Sequence, residues 1–133
     1  ENVLENAKAH DCYNVYGHID YVNRYAPYED KKISYSDYRE IIDEILKVLV
    51  DKGKGLDINT SGFRYGEGRP YPQYEILKRF KELGGEIITV GSDAHSPEYI
   101  ADHFDDAYCM IKEAGFKAIS SFRDKKVKFI DIK

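Results

Sequence analysis

The sequence has no tryptophan, one methionine, two cysteines and four histidines in 133 residues. Cys12 and Cys109 lie far apart and neither belongs to a CxxC pair, so both read as ordinary reduced, partly buried thiols. No apolar run approaches the roughly 20 residues that a bilayer crossing needs, which excludes a membrane partner of that kind. A basic excess is also missing. The formal charge is −4, which argues against a general nucleic-acid binder but leaves room for local capture of one phosphate by arginine or lysine. The N-terminus shows no basic patch followed by an apolar stretch, so no signal peptide is expected and the cytoplasm is the default location. Repeats, low-complexity tracts and interdomain linkers are absent. What remains, 42% hydrophobic and 33% charged residues, is the composition of one soluble globular domain.

Helical and extended patterns alternate along the chain. Residues 1–10 read as the tail of a helix and residues 13–20 (YNVYGHID) as a short strand with a polar end. Residues 21–35 read as a loop. Ser34 or Ser36 can cap the next helix. Its apolar face is Tyr38, Ile41, Ile42, Ile45, Leu46 and Leu49, and Gly53 supplies a left-handed stop. Residues 54–60 (KGLDINT) form a strand that ends in Asn59, Thr60 and Ser61. A glycine- and proline-rich loop follows over residues 62–72, and Pro72 suits the start of a helix carrying Tyr74, Leu77, Phe80 and Leu83. Residues 86–92 (EIITVGS) make a nearly all-apolar strand of the kind covered on both faces. Ser96 and Pro97 open another helical stretch, with Phe104, Ala107, Tyr108, Ile111 and Ala114 on one stripe. Residues 117–122 suit a short strand and residues 126–132 a terminal one. Repeated strand–helix order predicts an α/β fold with a parallel sheet, either open or half of a larger barrel.

Three polar clusters follow predicted strands: Gly17-His18-Ile19-Asp20, Asn59-Thr60-Ser61-Gly62-Phe63-Arg64 and Gly91-Ser92-Asp93-Ala94-His95. In parallel α/β folds ligands gather at the C-terminal ends of strands, so the clusters predict one shared site. Asp93 and His95 are two residues apart, and on an extended backbone they would point the same way. A carboxylate beside an imidazole suits a divalent transition metal such as Zn, Mn or Fe; a helix-capping Asp with a surface His is the bland reading of the same pair. Gly91 would let the backbone approach such a site closely. His18 and Asp20 repeat the spacing at another strand end. Arg24 and Arg64 follow strand-end clusters, and guanidinium groups bind phosphate oxygens in bidentate fashion. Solvated surface arginine is the bland alternative, and Arg69 competes with Arg64 for the role. His10 and His103 show no partner pattern and read as structural or exposed. The twelve tyrosines read mostly as packing residues, with Tyr25, Tyr28 and Tyr65 able to line a pocket.

YGHIDYVNRYAPY, KGKGLDINTSGFRYG and LGGEIITVGSDAHSPEYIADHF, in this order and spacing, resemble histidinol-phosphate phosphatases of the polymerase-and-histidinol-phosphatase (PHP) superfamily. The resemblance runs from about residue 10 to the end. It implies half of a distorted seven-stranded βα barrel of TIM-like type, with residues 1–133 as the C-terminal portion of a PHP domain. It implies up to three divalent metals at the strand ends. His18, Asp93 and His95 would be metal ligands, Asp20 would support His18 from behind, and Arg24 and Arg64 would grip the substrate phosphate. The implied reaction is metal-dependent hydrolysis of L-histidinol phosphate to L-histidinol and phosphate, in histidine biosynthesis.

The superfamily's His-x-His motif has no counterpart here, so the chain is expected to be inactive alone, and either a fragment or one that pairs with a missing N-terminal half. The rival expectations are a non-catalytic half barrel that binds a partner or self-associates through its open edge, and a PHP-type nuclease or phosphoesterase for another substrate.

Overall fold

A computed structural model describes residues 2–21 and 34–133. Arg24 and nearly all of the loop expected over residues 21–35, including Tyr25 and Tyr28, lie outside the described residues. The N-terminal helix α1 (Asn2–Ala9) leads to a two-residue strand β1 (Val15–Tyr16), shorter than the strand expected over 13–20. A 3₁₀ turn (Tyr35–Tyr38) runs into α2 (Arg39–Asp51), followed by β2 (Gly55–Asn59), a short helical turn α3 (Ser61–Arg64), α4 (Tyr74–Glu82) and β3 (Ile88–Gly91). A second 3₁₀ turn (Pro97–Tyr99), α5 (Phe104–Glu113), β4 (Ala118–Arg123) and β5 (Lys126–Asp131) complete the chain.

β1, β2 and β3 form a parallel sheet in that order, with Tyr16 opposite Leu56 and Asn59 opposite Gly91. Because side chains alternate along a strand, Leu56, Ile58 and Ile88 share one face. All three are fully buried with Leu46, Leu49, Leu77, Phe80 and Ile111 from the helices. That apolar core is what makes α2, α4 and α5 amphipathic. Asp57 and Thr89 face the other way, half-buried and joined by a 2.6 Å hydrogen bond from Thr89 Oγ1 to Asp57 Oδ1. Leu4 and Ala7 of α1 join the core. Lys52 Nζ donates to the carbonyls of Ala7, Lys8 and His10 at 2.8–3.0 Å, so a cation satisfies the free C-terminal carbonyls of α1.

Ser34 starts the second helical segment as expected: its N–H and Oγ both donate to Asp37, at 3.1 and 2.8 Å. Tyr38 departs from the predicted apolar face. It is 51% exposed, because it lies in the 3₁₀ turn, whose pitch takes it off the α-helical stripe. Gly53 has φ 63° and closes α2 in the left-handed region. Cys12 and Cys109 are exposed, not partly buried. The last two strands also differ from expectation. They pair antiparallel in a sheet of their own, from Ala118↔Asp131 to Arg123↔Lys126. Asp124 and Lys125 both have positive φ (52° and 62°), the backbone that a two-residue hairpin needs. The hairpin sits beside β3, where Ser120 Oγ accepts from Ile88 N–H at 3.3 Å. Among the described residues, no helix is long and apolar enough to cross a membrane.

α2 and α4 are tied by a part-buried ion pair. Asp43 accepts from Arg79 Nε and Nη2 at 2.9–3.2 Å and from Tyr35 Oη at 2.6 Å. Burial by itself would push the Asp43 carboxyl up, but the arginine fork and the hydroxyl outweigh it and hold the group below its ordinary value. A lowered folded value means that the stabilisation is present above the unfolded-chain value near ~3.9 and is lost as pH falls through the folded one. Asp43→Asn is therefore expected to cost about 1–2 kcal/mol at neutral pH in urea unfolding. The penalty should shrink as the pH is taken below ~4; one that stays constant with pH would contradict this.

Candidate functional site

Parallel pairing decides where the polar clusters go. All three strands run the same way in register, so the residues after Tyr16, Asn59 and Gly91 leave the sheet at one edge. The Thr60 N–H to Gly91 O bond, 2.9 Å, continues the ladder one step past β2. The three predicted clusters thus share the C-terminal edge.

Asp93 and His95 meet by a different route from the one expected. The backbone at Asp93 is left-handed (φ 50°), not extended. The turn brings His95 Nδ1 to 2.9 Å from the Asp93 carbonyl oxygen and 3.9 Å from its carboxylate Oδ1. A carbonyl only accepts, so Nδ1 is the donor and the lone pair is on Nε2. The His95 side chain is 81% exposed and that of Asp93 33%. This is how ligating histidines are usually held: one ring nitrogen is fixed by a carbonyl and the other is presented outward.

His18 and Asp20 part company. His18 is also left-handed (φ 59°), so the two side chains do not share a side. His18 is exposed, its ring 4.6 Å from that of Tyr21. Asp20 is only 6% exposed. Its Oδ2 accepts from the Gln73 N–H at 2.9 Å and from Arg69 Nη1 at 3.3 Å. Oδ1 is buried without a partner among the described residues. Burial pushes this carboxyl above its ordinary value, with the Gln73 N–H and Arg69 opposing. The carboxylate therefore anchors the start of α4 and the loop before it. Arg69, the rival to Arg64, is committed there.

Arg64 ends α3 with its guanidinium turned onto the β3 exit. Nη2 donates to Ser92 O at 2.6 Å and to Asp93 O at 3.2 Å, and Nη1 pairs with Asp102 at 3.2 Å. Gly62 lets the following loop fold back onto this turn, since a Cβ there would come within 2.2 Å of Arg69 O. Nε and the remaining Nη1 hydrogen are not used in these contacts.

Asp57 and Asp102 are not among the residues that the sequence singles out. Asp57 lies in mid-strand on the open sheet face, flanked by Gly17 and Gly91, whose added Cβ atoms would sit 3.6 and 3.8 Å from it. Those are ordinary contacts, so Gly91 is not forced by crowding. The alternation Leu56-Asp57-Ile58 is the signal that could have found it. Thr60 donates to Asp102 O at 2.6 Å. His103 has partners after all: Nδ1 is 2.7 Å from Asp106, and its ring stacks on Phe63 at 4.4 Å.

Asp93 and His95 fit one edge of a divalent-metal site in donor chemistry, and His18 opens onto solvent at the same sheet edge. Among the described residues, no three His, Cys, Asp or Glu side chains converge as a complete metal-holding set.

If Asp20 serves the loop before α4 and not His18, Asp20→Asn will shift the Gln73 amide resonance and leave the His18 ring resonances in place. Two-dimensional NMR decides this, and movement of the His18 ring signals would restore the supporting role first expected of Asp20.

No model of a known protein family matches the chain. Curated proteins do. It is 41% identical over 117 residues to a histidinol-phosphatase of Lactococcus lactis, an alignment spanning 86% of this chain and 42% of that protein. Proteins named "Probable histidinol-phosphatase" from Clostridium acetobutylicum and Thermotoga maritima are 36% and 34% identical, over 90% and 89% of this chain and 46% of each relative. A crystal structure of histidinol phosphate phosphatase from Lactococcus lactis, complexed with zinc, L-histidinol and phosphate, superposes with TM-score 0.78 at 37% identity. That match covers 95% of this chain and 48% of the other. The chain spans about half the length of the curated relatives it matches. In sequence and in fold, the chain is similar to histidinol-phosphatases over just under half of their length.

Proposed function

We propose that this chain supplies part of the site that hydrolyses L-histidinol phosphate to L-histidinol and phosphate, the other part coming from a stretch that the relatives have and this sequence lacks. The observation that carries the reading is the shared strand edge. His18, the Thr60–Arg64 turn and the Asp93–His95 pair leave the same, C-terminal side of a parallel sheet, in a chain whose structural relative was crystallised with zinc, L-histidinol and phosphate. The four histidines include no His-x-His pair, which fits a donor set completed from elsewhere. On this reading β1–β3 are three strands of a distorted seven-stranded TIM-like barrel of PHP type. The half-buried face of Asp57 and Thr89 is its interior, and exposed Val127, Phe129 and Ile130 are surface that the rest of the protein covers.

Asp93, His95 and His18 would hold divalent ions, zinc by analogy with the relative and manganese or iron by donor chemistry, up to three in the completed site. A divalent ion so held lowers the pKa of bound water and offsets phosphoryl charge. The chain's own residues orient the parts. The Asp93 carbonyl fixes the His95 ring with Nε2 outward, and the carboxylate lies alongside. Arg64 has donors left for a phosphate oxygen at the same exit, and Arg24, outside the described residues, is the second candidate for that contact. A small phosphate ester in an enzyme of cytoplasmic biosynthesis suits the acidic net charge of −4 better than a nucleic acid does.

Fusing the missing stretch of the Lactococcus lactis enzyme to this chain tests the reading by phosphate release. The chain alone should release none. The fusion with Zn²⁺ should, and Asp93→Ala should lower its rate by about 10²-fold or more. A folded but inactive fusion, or one indifferent to Asp93→Ala, would refute the proposal.

A further inference from the structure

The segment from Ser92 to His103 holds three non-glycine residues in the left-handed region: Asp93 (φ 50°), Ala101 (φ 59°) and His103 (φ 57°). L side chains disfavour that backbone, and it persists where surrounding contacts over-determine it. Here those contacts come from one short stretch, Thr60–Arg64. Thr60 Oγ1 donates to Asp102 O (2.6 Å). Arg64 donates to Ser92 O (2.6 Å), Asp93 O (3.2 Å) and the Asp102 carboxylate (3.2 Å). Phe63 stacks on the His103 ring, centroids 4.4 Å apart and planes 15° apart. The Tyr99 ring lies 4.7 Å from the Arg64 guanidinium carbon. The stretch is itself tied to the sheet through Thr60 N–H to Gly91 O and Ser61 N–H to the Asn59 side-chain oxygen, both 2.9 Å. Both ends of the strained segment are thus gripped by a turn built on β2.

One atom links this grip to the candidate ligands. The Asp93 carbonyl oxygen accepts from Arg64 Nη2 on one side and lies 2.9 Å from His95 Nδ1 on the other. A carbonyl has two lone pairs, so it can take both bonds. Turning that oxygen away would release the His95 ring together with the arginine.

We propose that the Thr60–Arg64 turn is a latch, with Arg64 a positioning residue that acts through the Asp93 carbonyl to hold His95 as the Nδ1–H tautomer and to aim the Asp93 carboxylate and His95 Nε2 outward. The proposal rests on the reading of Asp93 and His95 as metal ligands, and assigns Arg64 a task separate from any contact it makes with phosphate. Removing the latch changes the ring before any metal is present.

The test uses the 133-residue chain without metal, then with Zn²⁺ alone. At a pH where the imidazole is neutral, long-range ¹⁵N–¹H spectra of the ring report the His95 tautomer. The wild type should show Nδ1–H. Arg64→Ala should shift His95 toward the Nε2–H form favoured by free histidine, speed amide exchange over residues 93–103 and leave exchange in α2 unchanged. Zn²⁺ affinity should fall about tenfold, with partial recovery in Arg64→Lys, whose ammonium reaches one carbonyl but cannot fork across three acceptors. Thr60→Val, which removes only the Asp102 bond, should loosen residues 101–103 and serves if Arg64→Ala does not fold. An unchanged His95 tautomer and unchanged loop exchange in a folded Arg64 variant would overturn the latch. Zn²⁺ binding indifferent to Asp93→Ala would instead overturn the metal reading, whatever the tautomer shows.

Discussion

Register in a three-stranded parallel sheet governs where the polar clusters of the candidate site leave the fold. With Asn59 beside Gly91, β2 and β3 end level, while β1 stops at Tyr16 beside Leu56, three residues lower; the residues after each end leave on the same, C-terminal side of the sheet. A slip of one residue in β2 would turn Leu56 and Ile58 out of the core and Asp57 into it. The buried cluster of Leu46, Leu49, Leu56, Ile58, Leu77, Phe80 and Ile88 therefore sets the register, and the register in turn sets the functional edge. The core and the candidate site are linked through backbone geometry and share no side chain.

The two sides of the sheet carry different duties. One is sealed by α2, α4 and α5, the first two braced against each other by the Asp43–Arg79 fork. The other carries Asp57 and Thr89 and stays half-buried. The proposed completion of the site by further chain gives a use to the polar groups on that half-buried face and to a terminal hairpin displaying Val127, Phe129 and Ile130. The span of the relatives, about twice that of this sequence, accords with that.

Much of this was legible in the residues. Periodicity located α2, α4 and α5, and the β-branched run of residues 86–92 located β3. GHID, INTSGFR and GSDAH marked the strand exits and the related enzymes. Side-chain direction was not legible. It turned on left-handed backbone at His18 and Asp93, which His and Asp tolerate better than most residues but signal far more weakly than glycine does. An i, i+2 spacing predicts a shared face only on extended backbone, so the His18–Asp20 pairing dissolved, while Asp93 and His95 were joined through a carbonyl. The final hairpin was missed for a similar reason: Asp124-Lys125 adopts a turn usually signalled by glycine. For Arg64 the sequence offers a phosphate grip or a solvated surface position, and it cannot show that Ser92, Asp93 and Asp102 lie within reach of the guanidinium.

The claim that this stretch furnishes metal ligands is tested most directly by a crystal structure of the chain joined to the missing part of a relative, grown with Zn²⁺ and phosphate and phased at the zinc edge. The expected result is an anomalous peak about 2.0–2.2 Å from a carboxylate oxygen of Asp93 or from Nε2 of His95, with the Nδ1 bond to the Asp93 carbonyl intact. Zinc bound only by residues outside this chain, with Asp93 and His95 facing solvent, would contradict it.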